Sequence, residues 1–317
     1  MTTSSAQHTP VLRERVFALL APALTRPGAV FVDATLGLGG HAEYALAHFP
    51  ELQVIGLDRD HAALHLSQSR LATWGVRLRL VHAVYDELPR VLADAGISTV
   101  DGILFDLGVS SMQLDDPTRG FAYSVDAPLD MRMTATDPRT AADIVNEYSE
   151  RELVRVLRDF GEERFAPRIA RGIIKARESA PIESSNQLVE IIREAIPAPA
   201  RRTGGNPAKR SFQALRIEVN GELASLRSAI PAALDVLGVG GRLVVLSYQS
   251  LEDRIVKAEF ARRTQLDVPV DLPVIPKGHE PSFRLLVRGS QKASEAEIES
   301  NRRAASVRLR AIERVAA

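Results

Sequence analysis

The sequence predicts an α/β protein: a parallel sheet covered by helices on both faces and interrupted by a small inserted helical domain. Three observations carry this. Short apolar runs ending in aspartate alternate with stretches of helical length. The next convincing strand then arrives only near Leu243, far beyond the ~2 to 6 residues that usually join such elements. Between them lie segments with helical periodicity and capping signals.

The first run, Ala29 to Val32, leads through Asp33 into Gly37, Gly39 and Gly40, and a helical pattern starts near His41. Leu52 to Asp58 is the second run. The third alternates through Val76, Leu78 and Leu80, and the fourth runs from Val100 to Asp106. Strand, helix, strand in succession implies parallel pairing, because parallel neighbours need a crossover. Leu243 to Leu246 form the core of the late strand.

Residues 117–212 are the expected insert, with the core at 1–116 and its second part and C-terminal tail at 213–317. Ser149 and Glu152 stand at capping-box spacing; Leu153, Val156, Leu157 and Phe160 share a face, and Gly161 ends the pattern. Leu188, Ile191, Ile192 and Ala195 repeat the logic before Pro197, and 197–210, rich in proline, glycine and arginine, reads as the loop of return.

Composition bounds the function. A chain of 317 residues with 45% hydrophobic content buries a core without staples. The absence of cysteine excludes disulfides, thiolate zinc sites and a cysteine nucleophile. No metal is expected, although His61 and His65 stand at His-x-x-x-His spacing. The chain shows neither a signal-peptide pattern nor an apolar run of bilayer length, so a cytoplasmic protein without membrane contact is expected. With 40 basic and 40 acidic residues, any nucleic-acid footprint is local. Only five basic residues are lysines, and arginine suits phosphate forks better.

A strand, a glycine turn and a helix start suit a nucleotide-like cofactor, because the turn lets a ligand approach the main chain. "GLGGHA" from Gly37 satisfies the loose dinucleotide fingerprint, and Asp58 stands about 20 residues on, where an acid binds ribose hydroxyls. A tight turn and a helix cap are the plainer readings of the two. Asp33, before the glycines, would repel a pyrophosphate but welcome an ammonium and a sulfonium, which points to S-adenosylmethionine; bonding to the turn's own N–H groups is its alternative.

Asp106, followed by Gly108 and the serines Ser110 and Ser111, lies where ligands bind in open parallel sheets, and it suits accepting a hydrogen bond from an exocyclic amine. Tying down its loop is the alternative. Ser247, Tyr248 and Gln249 would line the same mouth, with an aromatic face and an amide for a base, or Tyr248 would simply pack. Arg164, Arg168, Arg171 and Lys175 recur on one face of a helix beginning at Pro167. Together with Arg201, Arg202, Lys209, Arg210 and Arg216 they form a local basic set for phosphates; a solvated face is the bland reading.

The strings "HTPVL", "DATLGLGGHA", "DGILFDLGVSSMQLDDPTRGF", "APLDMRM", "FGEERFAPRIARGI", "NPAKRSFQALRIEVNGEL" and "LSYQSLEDRIVK" resemble the bacterial small-subunit ribosomal RNA cytosine-N4 methyltransferase family (RsmH/MraW) from His8 almost to the C-terminus. The resemblance implies a Rossmann-like, S-adenosylmethionine-dependent methyltransferase sheet with an inserted helical domain for RNA recognition. It also implies a cytosine in the decoding region of small-subunit ribosomal RNA, free or in the small ribosomal subunit, as substrate. The family's cofactor contacts fall on Gly39, Gly40, His41, Asp58, Tyr85, Asp106 and Gln113, and Asp106 is the expected catalytic group.

Tyr85 stands where the family often has phenylalanine, and Gln249 where histidine is frequent, so no histidine base is expected there. In the tail, Asn301, Arg303, Ser306, Leu309, Arg310 and Glu313 are kept, but Ala305 replaces the usual arginine of an RNA contact. Two rivals stay open on the residues alone: a nicotinamide-dependent oxidoreductase, and an assembly factor that binds RNA without chemistry. A homodimer is neither required nor opposed by the sequence.

Overall fold

The computed structural model describes residues 10–201, 206–265 and 280–316. His8, Arg202 and the side chain of Ser111 lie outside the described residues. The chain forms two compact units, one running to Gly108 and resuming at Ala224, the other Val109–Leu223.

The first unit is built on a seven-stranded sheet: β1 Val30–Asp33, β2 Gln53–Asp58, β3 Leu78–His82, β4 Val100–Asp106, β5 Leu237–Ser247, β6 Phe283–Leu285 and β7 Arg308–Arg314. Their spatial order is β3-β2-β1-β4-β5-β7-β6. The first five are parallel, while β7 runs antiparallel to both β5 and β6. Successive side chains on a strand point to opposite faces. Phe31, Leu104 and Val244 therefore enter one apolar layer with Leu20 and Leu24 of the helix Arg13–Leu24 and Leu46 of the helix Gly40–His48. Val32, Phe105 and Val245 enter the other, with Ile230 and Leu234 of the helix Glu222–Asp235 and Val256 and Phe260 of the helix Ser250–Thr264. Phe31 and Phe105 are both fully buried, and each such ring contributes about 1.5 to 3 kcal/mol.

Two expectations about strands need correction. Val76 is fully exposed in a short 3-10 segment, Ala72–Arg77, and β3 begins only at Leu78; Gly75, with φ 52°, breaks the extended chain just before it. The sheet is also not wholly parallel. The C-terminal tail supplies β7, hidden from a reading of apolar runs because its charges are partnered. Arg310 pairs with Asp253, and Glu313 with Arg242.

The second unit is helical, with Leu153, Val156, Leu157, Ile169, Ile173, Leu188 and Ile192 in its core. Ser149 Oγ accepts from Glu152 N at 3.3 Å while Glu152 Oε2 accepts from Ser149 N at 2.8 Å, capping the helix Glu150–Asp159. Ser184 and Gln187 cap the helix Ser185–Ala195 in the same manner. A Cβ at Gly161 would lie 2.7 Å from the Arg210 carbonyl, so the glycine marks a close approach of two backbone segments. The return loop contains a helical turn, Ala198–Arg201. The unit's limits fall before 117 and beyond 212. Val109 packs on its core, and Asn220, at the end of the helix Lys209–Asn220, accepts from Met133 N at 2.7 Å and donates to Met131 O at 2.8 Å.

Candidate functional site

Strand register brings the carboxyl ends together. Asp33 aligns with Gly56 of β2 and Leu104 of β4, and Asp106 with Leu246 of β5, so Asp33, Asp58, Asp106 and Ser247 share one edge of the sheet. In open parallel sheets this edge is where ligands bind.

The glycine turn divides its duties. Gly39 has φ 76° and precedes the helix Gly40–His48; a Cβ there would lie 2.7 Å from Leu71 Cδ1. At Gly40 a Cβ would meet Pro10 Cγ at 2.6 Å. Both glycines thus serve the turn's own packing. Gly37, with φ 54°, has nothing within 4 Å of an added Cβ, so the space beside it is open, while its N–H is taken by Asp58.

Asp58 Oδ2 accepts from Gly37 N at 2.7 Å and Oδ1 from Asp60 N at 2.8 Å. The carboxylate therefore ties β2 to the turn, and each oxygen keeps a lone pair for a ribose hydroxyl. Burial raises its pKa above the ordinary carboxylate value. Tyr85, half-buried in the 3-10 turn Tyr85–Glu87, meets Phe105 edge-on with ring centroids 5.6 Å apart.

Asp106 is held at two points and approached at a third. Its N–H donates to Thr35 Oγ1 at 2.6 Å, its Oδ1 accepts from the Tyr248 hydroxyl at 2.6 Å, and its Oδ2 stands 3.7 Å from His41 Nδ1. That last approach is not an ion pair. His41 is buried, which pushes its pKa down to about 4 and leaves it neutral, with Nε2–H donating to Val11 O at 3.2 Å. Burial also pushes the Asp106 carboxyl up to about 6, against the Tyr248 hydrogen bond that lowers it, although 24% of its side chain remains exposed.

Asp33 is 1% exposed; its Oδ1 accepts from Thr35 N at 3.3 Å, and its Oδ2 has no hydrogen-bond partner among the described residues. Burial, and then the nearby negative charge of Asp106, push it up to about 7. An unpaired buried carboxylate oxygen costs free energy unless a cation or donor reaches it.

Ser247 is buried, and its Oγ is unpartnered among the described residues. Gln249 donates from Nε2 to Glu252 Oε1 at 3.0 Å, which commits one of its two amide N–H groups to the start of the helix Ser250–Thr264. In the second unit, Gln113 is buried and its Oε1 accepts from Ser110 N at 3.1 Å. Arg168, Arg171 and Lys175 are exposed on the helix Ala166–Arg177, and Arg164 precedes it, its guanidinium 4.7 Å from the Phe165 ring centroid. Lys209 and Arg210 are exposed at the start of the helix Lys209–Asn220.

Two residues escaped the sequence reading. Thr35 joins the Asp33 carboxylate to the Asp106 backbone, its N–H donating to Asp33 Oδ1 and its Oγ1 accepting from Asp106 N, and Glu252 accepts from Tyr248 N at 2.8 Å and Gln249 N at 3.2 Å. Only Glu252 left a signal, its capping-box spacing from Gln249.

A glycine turn, a ribose-competent acid and two further acids at one edge of the sheet suit an α/β enzyme for a cationic adenosine cofactor, the class of S-adenosylmethionine-dependent methyltransferases. The model of the MraW methylase family matches residues 5–315, and the chain belongs to that family. It is 61% identical over 311 residues to a ribosomal RNA small subunit methyltransferase H from Nocardioides sp., covering 98% of each chain. It is 63% identical over 310 residues to the protein of that name from Frankia alni, covering 98% of this chain and 95% of the other. Among solved structures, a putative methyltransferase from Streptococcus mutans in complex with SAH is 11% identical with a TM-score of 0.44, covering 96% of this chain and 98% of that one.

The cofactor is S-adenosylmethionine, and the residues present fit it. The orphaned oxygen of Asp33 and the acidic Asp106 suit a ligand bearing an ammonium and a sulfonium, while Asp58 and the open space beside Gly37 suit its nucleoside.

Proposed function

We propose that the protein transfers a methyl group from S-adenosylmethionine to the exocyclic N4 of a cytosine in the decoding region of small-subunit ribosomal RNA. The observation that carries this reading is Asp106, a carboxylate at the end of β4 with one oxygen held and the other left to accept. An exocyclic amine needs such an acceptor, because its lone pair is delocalised into the ring. Asp106 Oδ2 receives the amine's hydrogen bond and localises that pair for attack. The bound donor would supply the methyl group and keep the S–C electrons on sulfur, and the amine would release one proton to solvent. Holding the reacting atoms at about 3 to 3.5 Å supplies roughly 7 to 11 kcal/mol of the barrier.

When bound, the cofactor supplies an electrophilic methyl group. Gly39, Gly40, His41, Asp58 and Tyr85 hold it in this reading, with Gln113 added by family resemblance. The cytosine is presented out of any stack, since a base inside a helix cannot bring its amine to the donor. Ser247, Tyr248 and Gln249 flank that base, and Arg164, Arg168, Arg171, Lys209 and Arg210 take phosphates.

The test is transfer of labelled methyl to small subunits lacking the modification, with the product nucleoside mapped by mass spectrometry. Label on cytosine N4 supports the reading, and label on a carbon or on ribose removes it. RNA binding without label favours an assembly factor, and tight binding of a nicotinamide cofactor favours an oxidoreductase.

A further inference from the structure

We propose that Tyr248 is a positioning residue for methyl transfer, its hydroxyl fixing one oxygen of Asp106 so that the other is presented to the substrate amine. The inference rests on the reading of Asp106 as the amine's acceptor. It changes what Tyr248 is for: its hydroxyl is engaged by the protein rather than left for a base.

Three contacts fix the side chain. Tyr248 is the first residue past β5, and its N–H donates to Glu252 Oε2 at 2.8 Å, which anchors its backbone to the following helix. Its ring stands over Gly108, where an added Cβ would lie 3.5 Å from Tyr248 Cδ2. Gly108, with φ 103°, adopts a backbone that other residues rarely take. The hydroxyl then reaches Asp106 Oδ1 at 2.6 Å, a short charge-assisted hydrogen bond. With Asp106 N bonded to Thr35 Oγ1, the backbone and Oδ1 are both held, and Oδ2 is the oxygen left to accept. A carboxylate held on one side cannot rotate its second oxygen away from the amine.

The hydroxyl also favours the ionised acceptor. The groups around this pair are Asp33 from β1, His41 from the helix Gly40–His48, Glu252 from the helix Ser250–Thr264 and Glu297 from the helix Glu295–Ser300, with Asp58 acting on Asp33. His41 is neutral and the rest are acids. Among these neighbours the Tyr248 hydroxyl is the one that lowers the Asp106 pKa. Its removal therefore moves the carboxyl's titration upward.

The experiment compares Tyr248→Phe with the parent protein in single-turnover methyl transfer across pH. In parallel, the Asp106 carboxyl is titrated by infrared difference spectroscopy, its band assigned against Asp106→Asn. The expected result is an upward move of both the acidic limb and the carboxyl titration by about one pH unit, with the rate at neutral pH reduced about tenfold and cofactor affinity little changed. A lowered rate on an unmoved limb and an unmoved carboxyl would overturn the role, leaving Tyr248 as packing.

Replacing Tyr248 alone with 3-fluorotyrosine keeps the ring and strengthens the donor. It should shift both readouts downward, and it carries the test if the phenylalanine variant does not fold. If the parent leaves cytosine N4 unlabelled, the acceptor reading fails and this role falls with it. If the parent labels cytosine and the carboxyl does not move, only the role of Tyr248 fails.

Discussion

Asp33 and Asp106 show how burial sets the chemistry of single residues. Asp33 has an ordinary value of 3.8 and is pushed up to about 7, so between those values the folded protein holds a proton that the unfolded chain has lost. Stability is then fullest at low pH and falls as pH rises through about 7, by up to about 1.4 kcal/mol per pH unit. Asp33→Asn should flatten this slope in urea denaturation at pH 5 and pH 8, and weaken binding of the cationic cofactor; parallel slopes would show that Asp33 stays ionised. Asp106→Asn keeps the shape but loses the negative acceptor. Its single-turnover rate should fall about a hundredfold or more while cofactor binding persists, as followed by rapid quench and calorimetry. An unchanged chemical step would end the catalytic role of Asp106.

At the scale of elements, patterns with a local cause were legible and those with a distant cause were not. The capping box at Ser149 was visible because cap and partner lie three residues apart. Asn220 was not, because its bonds to Met131 and Met133 span the unit and nothing local announces them. Asn220→Ala would leave the buried Met133 N–H and Met131 carbonyl without these partners. It should cost about 2 kcal/mol or more in chemical denaturation of the full chain; a loss no greater than that of an exposed substitution would mean that water replaces the amide. Val76 failed for a local reason of another kind: it extends the alternation of Leu78 and Leu80, but it still lies in the 3-10 segment Ala72–Arg77, just past the turn at Gly75.

For the molecule as a whole, stability and the proposed RNA affinity are expected to depend on different parts, the closing strand and the exposed basic face. Arg310 Nε lies 2.7 Å from Asp253 Oδ1, with side chains 11% and 10% exposed, so this pair joins β7 to the helix Ser250–Thr264 in a nearly dry setting. Asp253→Ala strands the arginine and should cost about 3 to 5 kcal/mol, read as a shift of the denaturation midpoint. A loss below about 1 kcal/mol would place the pair with ordinary surface ion pairs. The exposed Arg164, Arg168 and Arg171 should act on RNA instead: changing all three to alanine should lower the salt slope of RNA binding by about 2 while leaving thermal stability near that of the parent. An unaltered slope would return them to solvated charge.

Taken alone, the sequence determined the parallel half of the sheet, the glycine turn, the acids at its edge and the helical insert. Each is written in neighbouring residues, as periodicity, turn chemistry or a carboxylate at a strand's end. Tertiary structure decided what those acids do. Whether Asp106 is charged, which of its oxygens is open, and why a charged tail is an interior strand all depend on Thr35, Tyr248, His41 and Asp253, residues far apart in the chain. Desolvation and hydrogen bonding act through space, and only the fold sets those distances.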